Sequence, residues 1–547
     1  MHIFRAATDC RGAPRKGAIR RGVALLAAAI LCGCAGLPPG ADFPKAASVA
    51  LPRPEDTRLG QQFAGAAHEH EGYSAFRIIN AGVDGFRLRK QMIDAAQRTL
   101  DLQYYIFRGD ETGRLLTDSL QHAAERGVRI RVLLDDGETV AGDEQILRLL
   151  TYPSVEVRIF NPFAYRGHSH LLRGLDFAFH GRRLDHRMHN KLLVADNALA
   201  LIGGRNVGNQ YFQIDPESQF ADDDVFTAGP IVSELSGTFD EFWNCDLAIP
   251  AKAFRHAARP DTGMAAHTEH EGANRQSGSQ PPKAAAIDYA SLLETGEPFA
   301  GIISGKLPLV WAHAQVVYDS PHKKGVSSGA LPGRQIASAV LDSIREVQSE
   351  FLLVTPYFIP AADELQLLKD LRGRQARVRI LTNSLESAPE SIAQSGYDHY
   401  RVPLLEAGVE LYEVRSRLGS VRGSGQTAKV SRYGNYALHG KMYVFDRKRL
   451  FIGSMNYDQR SKHINTEIGL IIQSPELAQQ LALRFDAMVK PDNCYIVGLS
   501  STGKSPRLVW RTEEQGQTVE YTREPARSGW QRLKVKLLTL LPLDSEL

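Results

Sequence analysis

The sequence predicts an α/β fold built from two similar halves, and three observations lead there. Apolar runs of strand length alternate with amphipathic helical segments along most of the 547 residues. The motif H-x-K-x-x-x-x-D occurs twice, at His189 and at His439, 250 residues apart. Apolar residues make up 43% of the chain, which suffices for sizeable cores in more than one unit.

The chain opens on residues of a different character. Arg11, Arg15, Lys16, Arg20 and Arg21 precede an apolar run, Val23–Leu31, that is too short to span a bilayer. A basic flank, a short apolar core and small residues form the layout of a secretory signal, here residues 1–33. The run ends Leu31-Cys32-Gly33-Cys34, which resembles a bacterial lipobox with Cys34 as the lipidated residue. An ordinary signal peptide that happens to contain two cysteines is the alternative. Several acyl chains on Cys34 would anchor an exported protein firmly to a bacterial membrane. Ala35 stands where the usual sorting pattern has an acidic residue for inner-membrane retention, which leans toward the outer membrane and leaves the two open. Residues 34–80 then read as an N-terminal tether. Removal of the signal leaves Cys245 and Cys494 as thiols, either bridged or separately buried.

Residues 81–252 read as the first domain. Phe86–Leu100 has helical periodicity and leads into the apolar Leu102–Phe107; a helix at Leu115–Arg126, a strand at Val128–Leu134 and an Asp-Asp-Gly turn at Asp135–Gly137 follow. Residues 306–498 repeat the order. A helix at Ile336–Val347 precedes the apolar Phe351–Ile359, then come a helix at Asp363–Leu371, a strand at Val378–Leu381 and a turn at Thr382–Ser384. Between the halves lies a linker, residues 253–305, whose stretch Ala253–Pro282 is polar and without apolar period. Its His267, Glu269, His270 and Glu271, like His68-Glu69-His70-Glu71, read as solvated segments, so no metal site is expected. The tail, residues 499–547, interleaves Trp530, Leu533, Leu537 and Leu538 with Arg527, Arg532, Lys534 and Lys536, a pattern that suits either a membrane interface or a docked final helix.

The two motifs carry the chemistry. His189, Lys191, Asp196, Gly203 and Asn206 recur at constant offset as His439, Lys441, Asp446, Gly453 and Asn456, with Gly204 matched by Ser454. A third element pairs Asp222-Asp223-Asp224 with Asn465-Thr466-Glu467. In a strand, residues two apart share a face, so each histidine projects beside its lysine. The anionic oxygens of a phosphodiester repel nucleophiles, and Lys191, Lys441, Asn206 and Asn456 are suited to neutralise the charge that spreads in the transition state. One histidine can attack phosphorus while the other exchanges the proton of the leaving or entering hydroxyl. Asp222, Asp224 and Glu467 are candidates to hydrogen-bond the far ring nitrogens, with Asp224 and Glu467 the preferred pair. Asp196 and Asp446 are expected to brace the motif's own backbone.

On these residues the chain resembles the phospholipase D superfamily, over about Phe86–Val497. The segments NPF (Asn161–Phe163), RMHNK (Arg187–Lys191), IGGRN (Ile202–Asn206), TNSLES (Thr382–Ser387) and AGVELYE (Ala407–Glu413), with the tail LLPLDSEL (Leu540–Leu547), are similar to the C-type branch of the bacterial cardiolipin synthase group. The resemblance implies two pseudo-twofold-related α/β sandwich domains sharing one active site. It also implies no cofactor, membrane phospholipids as substrates, and transfer of a phosphatidyl group to an alcohol, with His189 the nucleophile and His439 the acid–base. A hydrolytic phospholipase D is the rival expectation. A net charge of +3 is too small for the field a nuclease needs, so no nucleic-acid partner is expected. A tethered binding protein with a dead site conflicts with two complete motifs. The sequence names no accessory protein.

Overall fold

The computed structural model describes residues 38–137, 148–166, 170–215, 218–254, 296–323, 335–418, 435–500 and 506–539. The export signal with Cys34, the His267–Glu271 cluster and the LLPLDSEL tail lie outside the described residues. The first half contributes strands β1 (Ser74–Ile79), β2 (Thr99–Tyr104), β3 (Arg129–Asp135), β4 (Val155–Phe160), β5 (Leu192–Ala195), β6 (Leu199–Gly203), β7 (Ser218–Ala221), β8 (Asp224–Ala228) and β9 (Ala248–Pro250). The second contributes β10 (Val310–Tyr318), β11 (Glu350–Val354), β12 (Arg377–Asn383), β13 (Glu410–Val414), β14 (Asn435–Leu438), β15 (Met442–Phe445), β16 (Arg449–Gly453), β17 (Ile468–Gln473), β18 (Cys494–Ser500), β19 (Arg507–Glu514) and β20 (Gln517–Tyr521).

Their pairings form one continuous sheet, β9-β4-β3-β2-β5-β6-β8-β1-β10-β17-β16-β15-β11-β12-β13-β18-β19-β20. The order reverses about the antiparallel joint β1–β10, where Ala75 faces Trp311, so the halves are related by a pseudo-twofold axis through that pair. The central strands β2-β3-β4 and β11-β12-β13 are parallel and joined through helices, as the strand–helix alternation predicts. Apolar side chains of both halves merge in one layer. The helix Ile231–Asn244 buries Leu235, Phe239, Phe242 and Trp243 there, and the helix Pro475–Met488 buries Leu477, Leu481 and Phe485. Each fully buried side chain of this kind contributes about 1.5–3 kcal/mol, so the halves share a core and fold as one body. Each half covers the opposite sheet face with its own second core.

Three expected boundaries move. Much of the segment assigned to a tether is integral to the sheet: β1 is the joint itself, and the helix Arg58–Glu69, capped by the Thr57 side chain, buries Leu59 and Phe63 in the first core. The last segment of the linker forms the helix Pro298–Ile303 against the helix Gly82–Ala95. The tail is a sheet extension, since β19 and β20 prolong the second half, followed by the helix Gly529–Leu538. Strand pairing in the first and last cases, and helix packing in the second, supplies what the short local pattern did not reveal. The helix read from Phe86 runs over Gly82–Ala95, and the strand after it starts at Thr99. Cys245 and Cys494 are separate thiols, and burial pushes the Cys245 thiol up to about 12.

The motif aspartates explain their own place. Asp196 and Asn197, and again Asp446 and Arg447, have φ between 51° and 53°. Positive φ at both central residues is what the tight turns Ala195–Ala198 and Phe445–Lys448, each closed by a hydrogen bond from its last N–H to its first carbonyl, demand between β5 and β6 and between β15 and β16. The Asp196 carboxylate accepts backbone N–H groups of Gln97, Arg98 and Thr99 at 2.7–2.9 Å. Asp446 does the same for Gln348, Ser349 and Glu350. Each aspartate therefore ties its hairpin to the start of the neighbouring central strand. Asp196 is buried and Asp446 half-buried. We expect Asp196→Ala to cost about 3 kcal/mol, through stranded buried donors, and Asp446→Ala about 1 kcal/mol, where water replaces the carboxylate. Urea denaturation of the two variants measures the difference.

Candidate active site

The two H-x-K segments run as extended lead-ins, one residue ahead of β5 and β15 and not inside them as the alternation suggested. Their backbones pair across the molecule. His189 N–H donates to Thr466 O (2.9 Å) and Thr466 N–H to Arg187 O (2.9 Å); His439 N–H donates to Ala221 O (2.8 Å), beside the parallel pair β7–β14. The residue before each histidine is held from the end of a central strand. The Asp135 carboxylate accepts Met188 N–H at 2.8 Å, and the Asn383 amide oxygen accepts Leu438 N–H at 2.8 Å. These two turns were visible in the sequence, but not what they grip.

The carboxylates are exchanged between halves. His189 Nδ1 meets Glu467 at 2.9 and 3.1 Å; His439 Nδ1 meets Asp222 Oδ2 at 2.5 Å. The expected partner Asp224 reaches neither imidazole. It forms buried ion pairs with Arg89 (2.8 Å) and Arg205 (3.1 Å), and Arg205 also donates to the Asp222 carbonyl. Asp224 thus stabilises the strand that presents Asp222. The cause is register: Gly203 pairs with Asp224 and Gly453 with Gly469, which makes Asp222 the equivalent of Glu467 and slips the sequence alignment of the third element by two residues. Asn465 contributes its carbonyl to Lys323 and its side chain to the cavity wall.

The glycines permit these approaches. A Cβ on Gly203 would stand 2.4 Å from Asp223 O, and one on Gly453 the same distance from Ile468 O. At Gly204 it would fall 2.1 Å from the Asp222 carboxylate. Ser454 takes the Gly204 position in the second half, where its hydroxyl donates to Glu467.

Both histidines line one cavity of about 960 Å³, together with Asn206 and Asn456. Each Nδ1 faces a carboxylate, which leaves the Nε2 edges for a ligand. Lys191 and Lys441 each donate back to the carbonyl of their own histidine, and Lys441 Nζ also lies 3.1 Å from the His439 ring. Asn206 accepts Ile106 N–H at 3.2 Å, and its amide lies beside the Tyr211 hydroxyl. Aromatic rings that sequence reasoning missed pack the imidazoles. Tyr105 is edge-on to His189 at 5.2 Å, Tyr211 is edge-on to His439 at 5.0 Å, and Phe220 stacks on His439. No patterned spacing marks them, because they converge from separate loops and strands. Among the described residues no His/Cys/Asp/Glu cluster could hold a metal ion.

Burial and the two ammonium groups depress both imidazoles, His439 to about 3 and His189 well below its usual value, which favours neutral histidines. Burial also lowers Lys441 to about 8. Burial lifts Glu467 to about 7, whereas Asp222, despite its burial, is held well below the usual carboxylate range by His439 and the adjacent cations. Four donors around a void, two of them ammonium groups, suit a phosphate diester.

The sequence model described as "Cardiolipin synthase, PLD-like domain" matches residues 90–243 and 340–489. The chain is 34% identical over 495 residues to cardiolipin synthase C of Escherichia coli strain K12, covering 89% of this chain and 99% of that one. It is 24% identical to the major cardiolipin synthase of Bacillus subtilis strain 168, covering 75% and 67%. Among solved structures, the phosphatidylserine synthase of Haemophilus influenzae Rd KW20 superposes with a TM-score of 0.53 at 12% identity, covering 89% of this chain and 100% of that one, which places the fold.

The site predicts its own anion affinity. Inorganic phosphate should bind about ten- to a hundredfold more weakly to Lys191→Ala and Lys441→Ala. For the unsubstituted protein affinity should fall as pH rises through about 8, where Lys441 loses its proton. Calorimetry at pH 7 and pH 9, with proton uptake on binding near pH 8, checks both.

Proposed function

The chain belongs to the cardiolipin synthase, PLD-like domain family, and from that premise we propose that it is a phosphatidyltransferase that makes cardiolipin from phospholipid donors such as phosphatidylglycerol. The observation that carries this reading is the pair of neutral imidazoles, each oriented through Nδ1 by the other half's carboxylate, backed by a lysine and facing one cavity. His189 Nε2 attacks phosphorus and the bond from phosphorus to the glycerol oxygen breaks, while His439, which takes up a proton at Nε2 when the anionic diester offsets the adjacent ammonium groups, gives that oxygen its proton. The resulting phosphatidyl-histidine is attacked by the hydroxyl of a second phosphatidylglycerol headgroup. His439 takes the hydroxyl proton, the phosphorus–nitrogen bond breaks, and His189 leaves neutral. Lys191, Lys441 and the Asn206 and Asn456 amides hold the non-bridging oxygens throughout.

The roles of the two histidines follow from the unequal carboxylates. Asp222 stays ionised, so a fixed negative charge lies beside the His439 ring and offsets part of the positive charge it gains when it accepts a proton; this supports it as acid–base. His189 sits by a carboxyl of pKa about 7 and two ammonium groups, which keeps it unprotonated and nucleophilic. Tyr105, Tyr211 and Phe220 shield the imidazoles, favouring a lipid alcohol over water as acceptor. We further propose that residues 1–33 are a lipoprotein signal and that Cys34 carries the lipid. An N-terminal peptide that begins at an acylated Cys34 supports this, and an unmodified Cys34 in the purified membrane protein overturns it.

His189→Ala and His439→Ala should each lower cardiolipin formation at least ~10³-fold. With a p-nitrophenyl phosphodiester, whose leaving group needs no proton, His439→Ala should still accumulate phospho-His189; label trapped on His439 in the unsubstituted enzyme would reverse the assignment. Labelled phosphatidylglycerol that yields only phosphatidic acid would make the enzyme a hydrolase. Activity requires ionised Glu467 and protonated Lys441. We therefore expect kcat/KM to fall below about pH 7 as Glu467 takes a proton and above about pH 8 as Lys441 loses one. Ser454→Ala removes a donor from the Glu467 carboxylate, raises its pKa and should move the acid limb to higher pH.

A further inference from the structure

Large apolar side chains are exposed at thirteen of the described positions, and nine of these lie on three helices, His170–Leu184, Ser391–Asp398 and Gly529–Leu538. Scattered single exposures are ordinary; a concentration of this kind marks an interaction surface. On the last helix Trp530 (71% exposed), Leu533 and Leu537 fall on one stripe, opposite the buried Val535. On the first, Leu171 (74% exposed), Leu175 and Phe179 form another stripe.

One of the three helices lines the cavity, and the other two are tied to its wall. Ile392, itself exposed, lines it from the second helix, against which the helix Gly529–Leu538 packs. Just before that last helix, the Arg527 guanidinium donates to the carbonyls of Glu386, Ser387 and Ala388, and Gln531 donates to Leu385 O at 2.7 Å, so the C-terminal segment clamps a cavity-lining loop. From the other half, Asp185, immediately after the helix His170–Leu184, takes both arms of the cavity-lining Arg460 at 2.7 Å. The helices that carry the apolar stripes are thus anchored to the cavity wall from both halves.

Charge indicates what covers them. The helix Gly529–Leu538 carries Arg532, Lys534 and Lys536 and no acidic residue, and both lysines are exposed. On the helix His170–Leu184, Arg173 and Arg183 turn to the carbonyls of Asp136, Gly137 and Pro162, and the Asp176 carboxylate is engaged by Ala164 N–H, Tyr165 N–H and His180. Apolar stripes flanked by cations on a short helix fit the interface of an anionic bilayer.

We propose that these three helices form a docking rim that seats the cavity mouth on an anionic phospholipid bilayer, so that lipid passes from the membrane to the histidines without crossing water. The proposal rests on the reading above only in taking the substrate to be a phospholipid. Leu171, Leu175, Phe179, Trp530, Leu533 and Leu537 insert between headgroups, and Lys534 and Lys536 meet the lipid phosphates.

The test uses the full chain carrying Cys34→Ser, so that a lipid anchor does not mask the rim. Two variants are compared with it: Leu171→Ser with Leu175→Ser and Phe179→Ser, and Trp530→Ala with Leu533→Ser and Leu537→Ser. Flotation is measured with vesicles of phosphatidylglycerol and phosphatidylethanolamine and with phosphatidylcholine alone. Each triple variant should lower binding to the anionic vesicles and turnover of vesicle phosphatidylglycerol at least about tenfold, and leave turnover of monomeric dihexanoyl phosphatidylglycerol within about twofold. Trp530 fluorescence, isolated by difference from Trp530→Phe, should shift to the blue on anionic vesicles and be quenched by brominated acyl chains. Unchanged vesicle binding and turnover in both variants, or an unquenched Trp530, overturns the rim. A variant effect confined to self-association assigns the surface to a second copy and overturns it equally. Loss of turnover on monomeric and vesicle lipid alike, with vesicle binding intact, also overturns it. Turnover absent from the parent chain on either substrate, with rim-dependent vesicle binding preserved, supports the rim and counts against the catalytic reading instead.

Discussion

Each imidazole of the site is oriented by a carboxylate that belongs to the other half of the chain. Glu467 holds His189 and Asp222 holds His439, and the backbone on either side is pinned by hydrogen bonds that also cross between the halves. Neither half can therefore build a working histidine alone. The joint β1–β10 and the shared apolar layer carry the rest: they set the two halves in a fixed register, and that register decides which acid meets which ring. An error of one residue in a strand would turn the carboxylate to the opposite face.

Within this exchanged frame the two sides are not equivalent. Gly204 leaves room for the Asp222 carboxylate to press against its histidine, and Asp222 also lies within the field of Arg205 and Lys441. The corresponding Ser454 donates a hydroxyl to Glu467, which is otherwise buried deeply enough to sit near neutrality. The duplicated motifs thus offer two imidazoles that face unequal carboxylates. One step of nucleophilic attack and one of proton transfer need just such a difference.

The residues that meet here were largely legible beforehand, because the histidines, lysines and amides obey strict local spacing. His189, Lys191, His439, Lys441, Asn206 and Asn456 all meet in or around the cavity, and Asp196 and Asp446 brace the backbone as their type and position suggested. The third element was legible only in kind. It is acidic in both halves, but a small insertion separates it from the motif, so counting aligned Asp224 with Glu467 where pairing aligns Asp222. The aromatic packing around the imidazoles, the grip of Asp135 and Asn383, and the arginine pair behind Asp224 had no periodic signature at all.

By itself, then, the sequence determined the two halves, their strand–helix order and the reactive residue types, since periodicity and motif spacing are properties of contiguous chain. The tertiary structure alone decided the joint through Ser74–Ile79, a segment that reads locally as the end of a tether, and with it the exchange of carboxylates between halves. The physical reason is that a hydrogen bond between residues 278 positions apart, as between His189 and Glu467, depends on sheet register and shared burial, and no local stretch of sequence encodes either.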